Sequence, residues 1–134
     1  MSRVSPLNTL PQSFRHEQKE LEAAEIGTWG QLQDLDDLQL SKLCRSGRAS
    51  ARNLKRLRGM ADLVCKLDLA PSDAALLMHA GIATVAALAS ASPQDVVTRT
   101  GRLERQLRSG RPPVVDLVVA RRWIQSAQAW QTRN

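Results

Sequence analysis

The chain has 134 residues and a net charge of +6, and 43% of its residues are apolar although only 3% are aromatic. This length fits one domain with a buried core, and the scarcity of aromatic residues favours helices over a β-rich fold. No apolar run approaches the roughly 18–20 residues of a membrane span, and no signal segment follows Met-Ser-Arg-Val-Ser-Pro, so we expect a cytoplasmic protein with no membrane partner.

The first part of the chain is predicted to form an arm followed by a helical unit. Residues 1–12 contain two prolines and several small polar residues, which is typical of a flexible arm that docks through Leu7 and Leu10 at most. Residues 13–49 form unit one, in which each short helix follows a residue that can cap its first turn. These predicted caps are Ser13, Thr28 and Asp36.

A connector helix, residues 50–67, is predicted to join this unit to a second one. Its apolar residues recur at helical spacing on one side: Leu54, Leu57, Ala61, Val64 and Cys65. Pro71 suits the first turn of a new helix, so unit two occupies residues 68–100. It contains a helix that ends at Gly81 and two further helices capped by Thr84 and Ser92.

The C-terminal part is predicted to be a basic loop followed by a closing helix. Residues 101–113 are rich in Arg, Gly and Pro, which indicates a mobile loop with at most one helical turn. Residues 114–130 form the last helix, and its apolar face, which includes Val118, Trp123 and Trp130, closes the domain against both units.

The two units match each other at an offset of 56 residues. This offset places Ile26 on Ile82 and Thr28 on Thr84, with Leu32 on Leu88. A helix, a tight turn, a threonine cap and a short helix therefore occur twice, as expected of a duplicated supersecondary unit. We predict an all-α fold of two stacked units, joined by the connector helix and closed by the C-terminal helix.

The second copy carries a recognisable motif. Residues 80–89, Ala-Gly-Ile-Ala-Thr-Val-Ala-Ala-Leu-Ala, resemble the segment that follows the hairpin in many helix-hairpin-helix domains of DNA-repair and recombination proteins. Together with Met60-Ala-Asp-Leu63 and Trp123-Ile124, they are similar to an uncharacterised bacterial family that is catalogued as a domain of unknown function. This resemblance covers roughly residues 10–128 and implies tandem helix-hairpin-helix units.

The hairpins depart from the DNA-binding pattern. A DNA-binding hairpin has Gly-hydrophobic-Gly, because bare backbone lets amide groups approach a phosphate. These glycine positions correspond to Gln12 and Phe14 in unit one, and to Asp68 and Ala70 in unit two. The carboxylate of Asp68 would repel a phosphate, so the hairpins are predicted to be structural only.

Positive charge is concentrated in two segments. Residues 45–66 carry seven Lys or Arg against one acid, and residues 99–122 carry seven Arg against two acids. This segregation favours a positive surface for an anionic partner, with a solvated helix face and an Arg-rich loop as the alternative. The candidate binding residues are Arg45, Arg48, Arg52, Lys55, Arg56, Arg105, Arg108 and Arg111.

Two functions remain open for this surface. One is an accessory protein that binds nucleic acid through phosphates without sequence preference. The other is an adaptor that docks on an acidic protein. An enzyme is not expected, because no carboxylate pair, Gly-rich phosphate loop or nucleophile motif is present.

The cysteines and histidines predict no cofactor or metal. His16, Cys44, Cys65 and His79 lack the spacing of zinc ligands, and the two thiols fit the apolar faces of helices. His79 precedes Gly81 and is expected to bond the carbonyl groups at the end of its helix.

Overall fold

A computed structural model describes residues 2–7, 10–106 and 115–133. Secondary structure in these ranges is helical, which confirms the predicted all-α class, and the extended backbone within them pairs at one isolated bridge, Pro6 with Thr28. The α-helices of this part of the chain are α1 (Arg15–Ala23), α2 (Trp29–Gln33), α3 (Asp37–Leu43), α4 (Ala51–Leu67), α5 (Pro71–His79), α6 (Val85–Ser90), α7 (Pro93–Gln106) and α8 (Leu117–Arg133).

Side-chain caps determine where most of these helices begin. The following predicted caps each accept a hydrogen bond from the backbone N–H three residues later: Thr28, Asp36, Ser50, Thr84 and Ser92. The prediction for Ser13 is wrong. It lies in a 3-10 turn, Gln12–Phe14, in which the Phe14 N–H bonds the Pro11 carbonyl, and the chain enters α1 through this turn without a side-chain cap.

The core is organised around α4. Its inward face, which packs against α2, α5 and α8, consists of Leu54, Leu57, Met60, Ala61, Leu63 and Val64, all buried. Burying each Leu of this face contributes about 1.5–3 kcal/mol, which explains why the longest apolar stripe lies at the centre. α6 and α7 pack on α8, which covers the second unit.

The two units make the same backbone hydrogen bonds at the predicted offset. The N–H of Ile26 donates to the Leu21 carbonyl at 2.9 Å, and that of Ile82 donates to the Leu77 carbonyl at 2.8 Å. The residue before each isoleucine, Glu25 or Gly81, is left-handed, with φ of 61° and 89°. The segment from α1 to α2 therefore turns as the segment from α5 to α6 does.

The arm contacts the domain more extensively than the sequence predicts. Leu7 is buried as expected, but the Leu7 N–H also donates to the Gly27 carbonyl at 2.9 Å, and the Ser5 carbonyl accepts from the Trp29 N–H at 3.1 Å. Gly30 allows this approach, because a Cβ there would lie 2.8 Å from the carbonyl oxygen of Arg3.

The predicted basic loop begins too early. α7 continues through Gly101 to Gln106, so residues 101–106 are helical. Gly101 is buried, and the hydroxyl of Thr100 donates to the Val96 carbonyl at 2.8 Å inside the same helix. Packing of α7 on α5 and α8 thus outweighs the weak helix preference of one glycine. Residues 107–113 of that loop lie outside the described part of the chain.

Candidate functional site

The predicted binding residues lie on three segments. Arg45 and Arg48 are exposed in the connection between α3 and α4. On α4, Arg52 and Lys55 are exposed, and Arg56 is half-buried. Arg105 lies in α7, but its side chain is outside the described part of the structure. Arg108 and Arg111 lie outside the described part altogether.

The α4 cations share a shallow cleft. Arg52, Lys55 and Arg56 line a depression of about 480 Å³, and the opposite wall is the turn before α6, at Ala83 and Thr84. The turn comes close because residue 59 is glycine, since a Cβ there would lie 2.4 Å from the carbonyl oxygen of Ala83. We name this depression the α4 cleft.

An aromatic contact connects the α4 cleft to the end of α5. The guanidinium carbon of Arg56 lies 5.5 Å from the ring centroid of Phe14, within the range of a cation–π contact. The Phe14 ring, which is buried, stacks on the His79 ring with centroids 5.9 Å apart. The three side chains come from three different segments and form one contiguous contact.

The environment of His79 favours its neutral form. Partial burial lowers the pKa of the imidazole below its usual 6.5, and the nearby charge of Arg56 lowers this pKa further. The prediction that His79 serves the carbonyl groups at the end of α5 finds no counterpart among the described contacts, in which its ring packs on Phe14.

A second cationic cleft includes His79 in its lining. It has a volume of about 290 Å³ and is lined by His79, Ala80, Arg99, Arg102 and Leu103. Arg99 is oriented by an ion pair of its Nε with Asp95 at 3.3 Å, and its Nη1 lies 3.7 Å from where a Cβ on Gly81 would be. Arg102 is exposed. We name this depression the α7 cleft.

A chain of contacts connects cations from the two charge-rich segments. Arg56, from residues 45–66, contacts Phe14, and Phe14 stacks on His79. His79 lines a cleft together with Arg99 and Arg102, from residues 99–122. Sequence reasoning left Arg99, Arg102 and His79 out of the candidate site. The excess of arginine from residue 99 onward is a usable signal, but the sequence pattern assigns residues 101–113 to a loop and so hides the helix that carries Arg99 and Arg102.

Two other basic residues of α4 stabilise the fold. Arg58 donates to the Leu35 carbonyl at 3.0 Å and pairs with Asp37 at 3.0 Å. Lys66 lies 3.5 Å from Asp62 and 5.6 Å from the ring centroid of Trp130. These contacts connect α4 to α3 and α8, so neither residue belongs to the two clefts.

The glycine positions of the hairpins are occupied in different ways. Asp68 ends α4 with φ of 56°, the left-handed conformation that glycine favours and aspartate tolerates. Gln12 occupies the corresponding position of unit one, and Phe14, which matches Ala70, fills the second glycine position with a ring that is 1% exposed. A phosphate therefore has no bare glycine backbone to approach at Asp68 or Phe14.

The described residues offer no metal centre. Within them, no group of three or more His, Cys, Asp or Glu side chains could hold a metal ion, and Cys44 and Cys65 are free thiols. No helix in the described ranges has the length and apolar character needed to cross a membrane.

Comparison with known proteins gives one match. A family model described as a domain of unknown function (DUF4332) matches residues 11–130. No curated protein and no solved structure matches the chain.

Proposed function

We propose a function for this protein on the basis of its surface. The chain belongs to the DUF4332 family, which is described as a domain of unknown function. The protein is a non-enzymatic accessory factor that binds nucleic acid through phosphates and without sequence preference. Its binding surface, named the basic face, comprises Arg45, Arg48, Arg52, Lys55, Arg56, His79, Arg99 and Arg102. Arg105, near the end of α7, and Arg108 and Arg111, which follow α7 in the sequence, remain predicted contributors.

One observation carries this proposal: the contact of Arg56, Phe14 and His79 joins the α4 cleft to the α7 cleft. Five Lys or Arg side chains line these clefts, and in this proposal they act as one surface. Duplex DNA carries one negative charge per ~1.7 Å of axis, so adjacent cationic clefts can contact several phosphates together.

The aromatic side chains favour phosphate contact over base contact. Single-strand binders stack bases on exposed rings. Phe14, which contacts Arg56 and His79 of the basic face, is 1% exposed, and Trp29 and Trp123 are also buried. Apart from His79, the accessible side chains of the described basic face are thus Arg and Lys, which position nucleic acid without reading its sequence.

We further propose that the units are tandem helix-hairpin-helix repeats. The matching hydrogen bonds of Ile26 and Ile82 support this arrangement. So does the left-handed backbone of Asp68, which occupies a position where such hairpins have glycine. In this interpretation the hairpins retain their structural role, and phosphate binding has moved to the flanking helices.

A binding titration with charge-matched variants tests the function. The labelled ligand is a duplex of about 20 base pairs with random sequence, and its anisotropy is measured between about 50 and 200 mM salt. Arg52→Gln with Lys55→Gln should weaken binding about tenfold at low salt and reduce the slope of log K against log salt by about 1–2. Arg121→Gln with Arg122→Gln, which removes the same charge from exposed positions of α8, is the control.

Equal weakening by both double variants would mean that net charge, and not the basic face, drives binding. Absence of binding to duplex, single-stranded DNA and RNA at low salt would overturn the proposal.

A second candidate is an adaptor that docks on an acidic protein. The observation that favours it is Asp68, whose carboxylate occupies a hairpin position that approaches phosphate in DNA-binding units. Affinity purification of the tagged protein with and without nuclease distinguishes the two functions. Nuclease should abolish co-purification if nucleic acid is the partner, and it should leave an acidic protein bound if the adaptor function is correct.

A further inference from the structure

We propose that the α7 cleft binds one phosphate group, that Arg99 and Arg102 hold this group, and that His79 takes up a proton when it binds. The inference rests on the proposed function, because it takes the phosphodiester backbone of nucleic acid as the ligand. It adds a specific anion site, and a dependence on pH, to a surface that was otherwise described only by its charge.

The geometry of the α7 cleft suits a tetrahedral anion. Three side chains that can donate hydrogen bonds, those of His79, Arg99 and Arg102, line a volume of about 290 Å³. Asp95 engages the Nε of Arg99 and thereby fixes the guanidinium, while Nη1 faces the turn at Gly81. A guanidinium presents donors in a planar fork that matches phosphate oxygens, and fixing it in advance reduces the entropy lost on binding.

Unit one shows that the fold of this turn does not require the cations. The positions that match His79 and Arg99 at the 56-residue offset are Ala23 and Leu43. The turn of unit one nevertheless makes the same backbone hydrogen bonds, including that of Ile26 to the Leu21 carbonyl. A purely structural role for the arginines, such as compensating the dipole at the C-terminus of α5, is therefore not needed to form the turn.

The charged groups around His79 explain the proton uptake. Arg56 of α4 contacts Phe14, whose ring stacks on His79. Arg99 and Arg102 of α7 line the cleft together with His79, and Asp95 forms an ion pair with Arg99. Burial lowers the pKa of His79, and the charge of Arg56, which opposes a charged imidazole, lowers it further. A phosphate in the cleft would compensate this repulsion and favour the imidazolium. A phosphodiester does not itself titrate near neutral pH, so the proton that is taken up binds to His79.

Two variants separate the roles of the residues. His79→Phe keeps an aromatic ring on Phe14 but removes the titrating group. Arg99→Leu installs the residue that unit one has at the matching position. Circular dichroism and thermal unfolding establish that each variant folds before its binding is measured.

The pKa of His79 is measured on the full chain by NMR, with no ligand, with the random duplex and with sulfate as an inorganic probe. We expect the duplex to raise this pKa by about one pH unit. Wild-type affinity for the duplex should rise several-fold more than that of His79→Phe between about pH 7.5 and pH 5.5. Arg99→Leu should abolish this rise in the pKa of His79.

The outcomes distinguish this inference from the function on which it rests. Duplex binding that leaves the pKa of His79 unchanged overturns the phosphate site while the basic face stands. A pKa that sulfate raises but the duplex does not indicates a site for free anions and overturns the nucleic-acid ligand. Failure of the wild type to bind the duplex overturns the proposed function, and the inference with it.

Discussion

The turns of unit one and unit two have the same backbone but different surfaces. Glu25 and Gly81 adopt the same left-handed conformation, and the isoleucine after each makes the same hydrogen bond. Around this shared geometry, unit one has Ala23 and Leu43 where unit two has His79 and Arg99. The difference shows that caps and buried apolar residues form the turn, so its surface charge is free to serve binding.

A second pair of matching positions shows how each unit is attached. Glu17 is 3% exposed, and its carboxylate accepts from the Ser50 N–H at 3.0 Å and from the Asn53 side chain at 3.3 Å. It thereby fixes α1 to the start of α4. Asp73, at the matching position of unit two, is half-buried, and burial raises its pKa above 3.8 although the charge of Arg122 opposes this rise. Unit one is therefore the more firmly anchored of the two through this position.

The largest effect is expected where the unit-two turn meets α4. Gly59→Ala would place a Cβ 2.4 Å from the Ala83 carbonyl, which is backbone and cannot move independently, so stability should fall by about 2–3 kcal/mol. Gly27 is the residue of unit one that matches Ala83 of unit two, and a Cβ added at Gly27 would meet no atom within 4 Å. Gly27→Ala should therefore change stability by less than about 1 kcal/mol. Urea denaturation of both variants measures this contrast, and equal losses would contradict it.

The anchoring carboxylate gives the next effect. Glu17→Gln replaces one acceptor oxygen by a donor that faces the N–H groups at the start of α4, so we expect a loss of about 1–2 kcal/mol. Asp73→Asn removes a half-buried charge and should change stability by only a few tenths of a kcal/mol at neutral pH. Thermal unfolding at pH 7 compares them. A larger loss for Asp73→Asn would mean that unit two is the one anchored by its carboxylate.

The left-handed residue gives effects of opposite sign in the two units. Gly81→Ala should cost about 1 kcal/mol, because an L residue is strained at φ of 89°. Glu25→Gly should stabilise by up to about 1 kcal/mol at φ of 61°. The midpoints of chemical denaturation provide the measurement. If both substitutions changed stability in the same direction, the two turns would not be conformationally equivalent.

Local chemistry explains how much of the fold was predictable. Caps such as Ser50 and Thr84 act on the N–H three residues later, so their effect is written in adjacent sequence. The prediction that Ser13 caps the first helix is wrong because Pro11 starts a 3-10 turn, which shifts the start of the helix to Arg15. The extension of α7 to Gln106 depends on tertiary packing, which no local pattern contains.

The proposed basic face was only half predictable for the same reason. The stripe of Arg52, Lys55 and Arg56 follows from helical periodicity within one segment. The contact of Phe14 with His79 joins residues that are distant in sequence and has no local signal. Without it, nothing indicated that Arg56 and His79 contact the same ring.

The smallest effect tests whether His79 weakens the fold as the pH falls. The folded-state pKa lies below the unfolded value of 6.5, so the unfolded chain binds more protons between these two values. Stability should therefore decrease as the pH falls through 6.5, and the full loss should be reached below the folded pKa. Because the imidazole is partly exposed, we expect the loss to be only a few tenths of a kcal/mol.

Two variants should lack this loss of stability: His79→Phe, and His79→Ala, which installs the residue that unit one has at the matching position. Denaturation of the three proteins at about pH 7.5 and pH 5.5 measures this loss of stability. Addition of duplex at pH 5.5 should turn the loss into a gain for the wild type alone. A wild type and variants with the same pH dependence would show that the cationic surface imposes no cost on the turn of unit two.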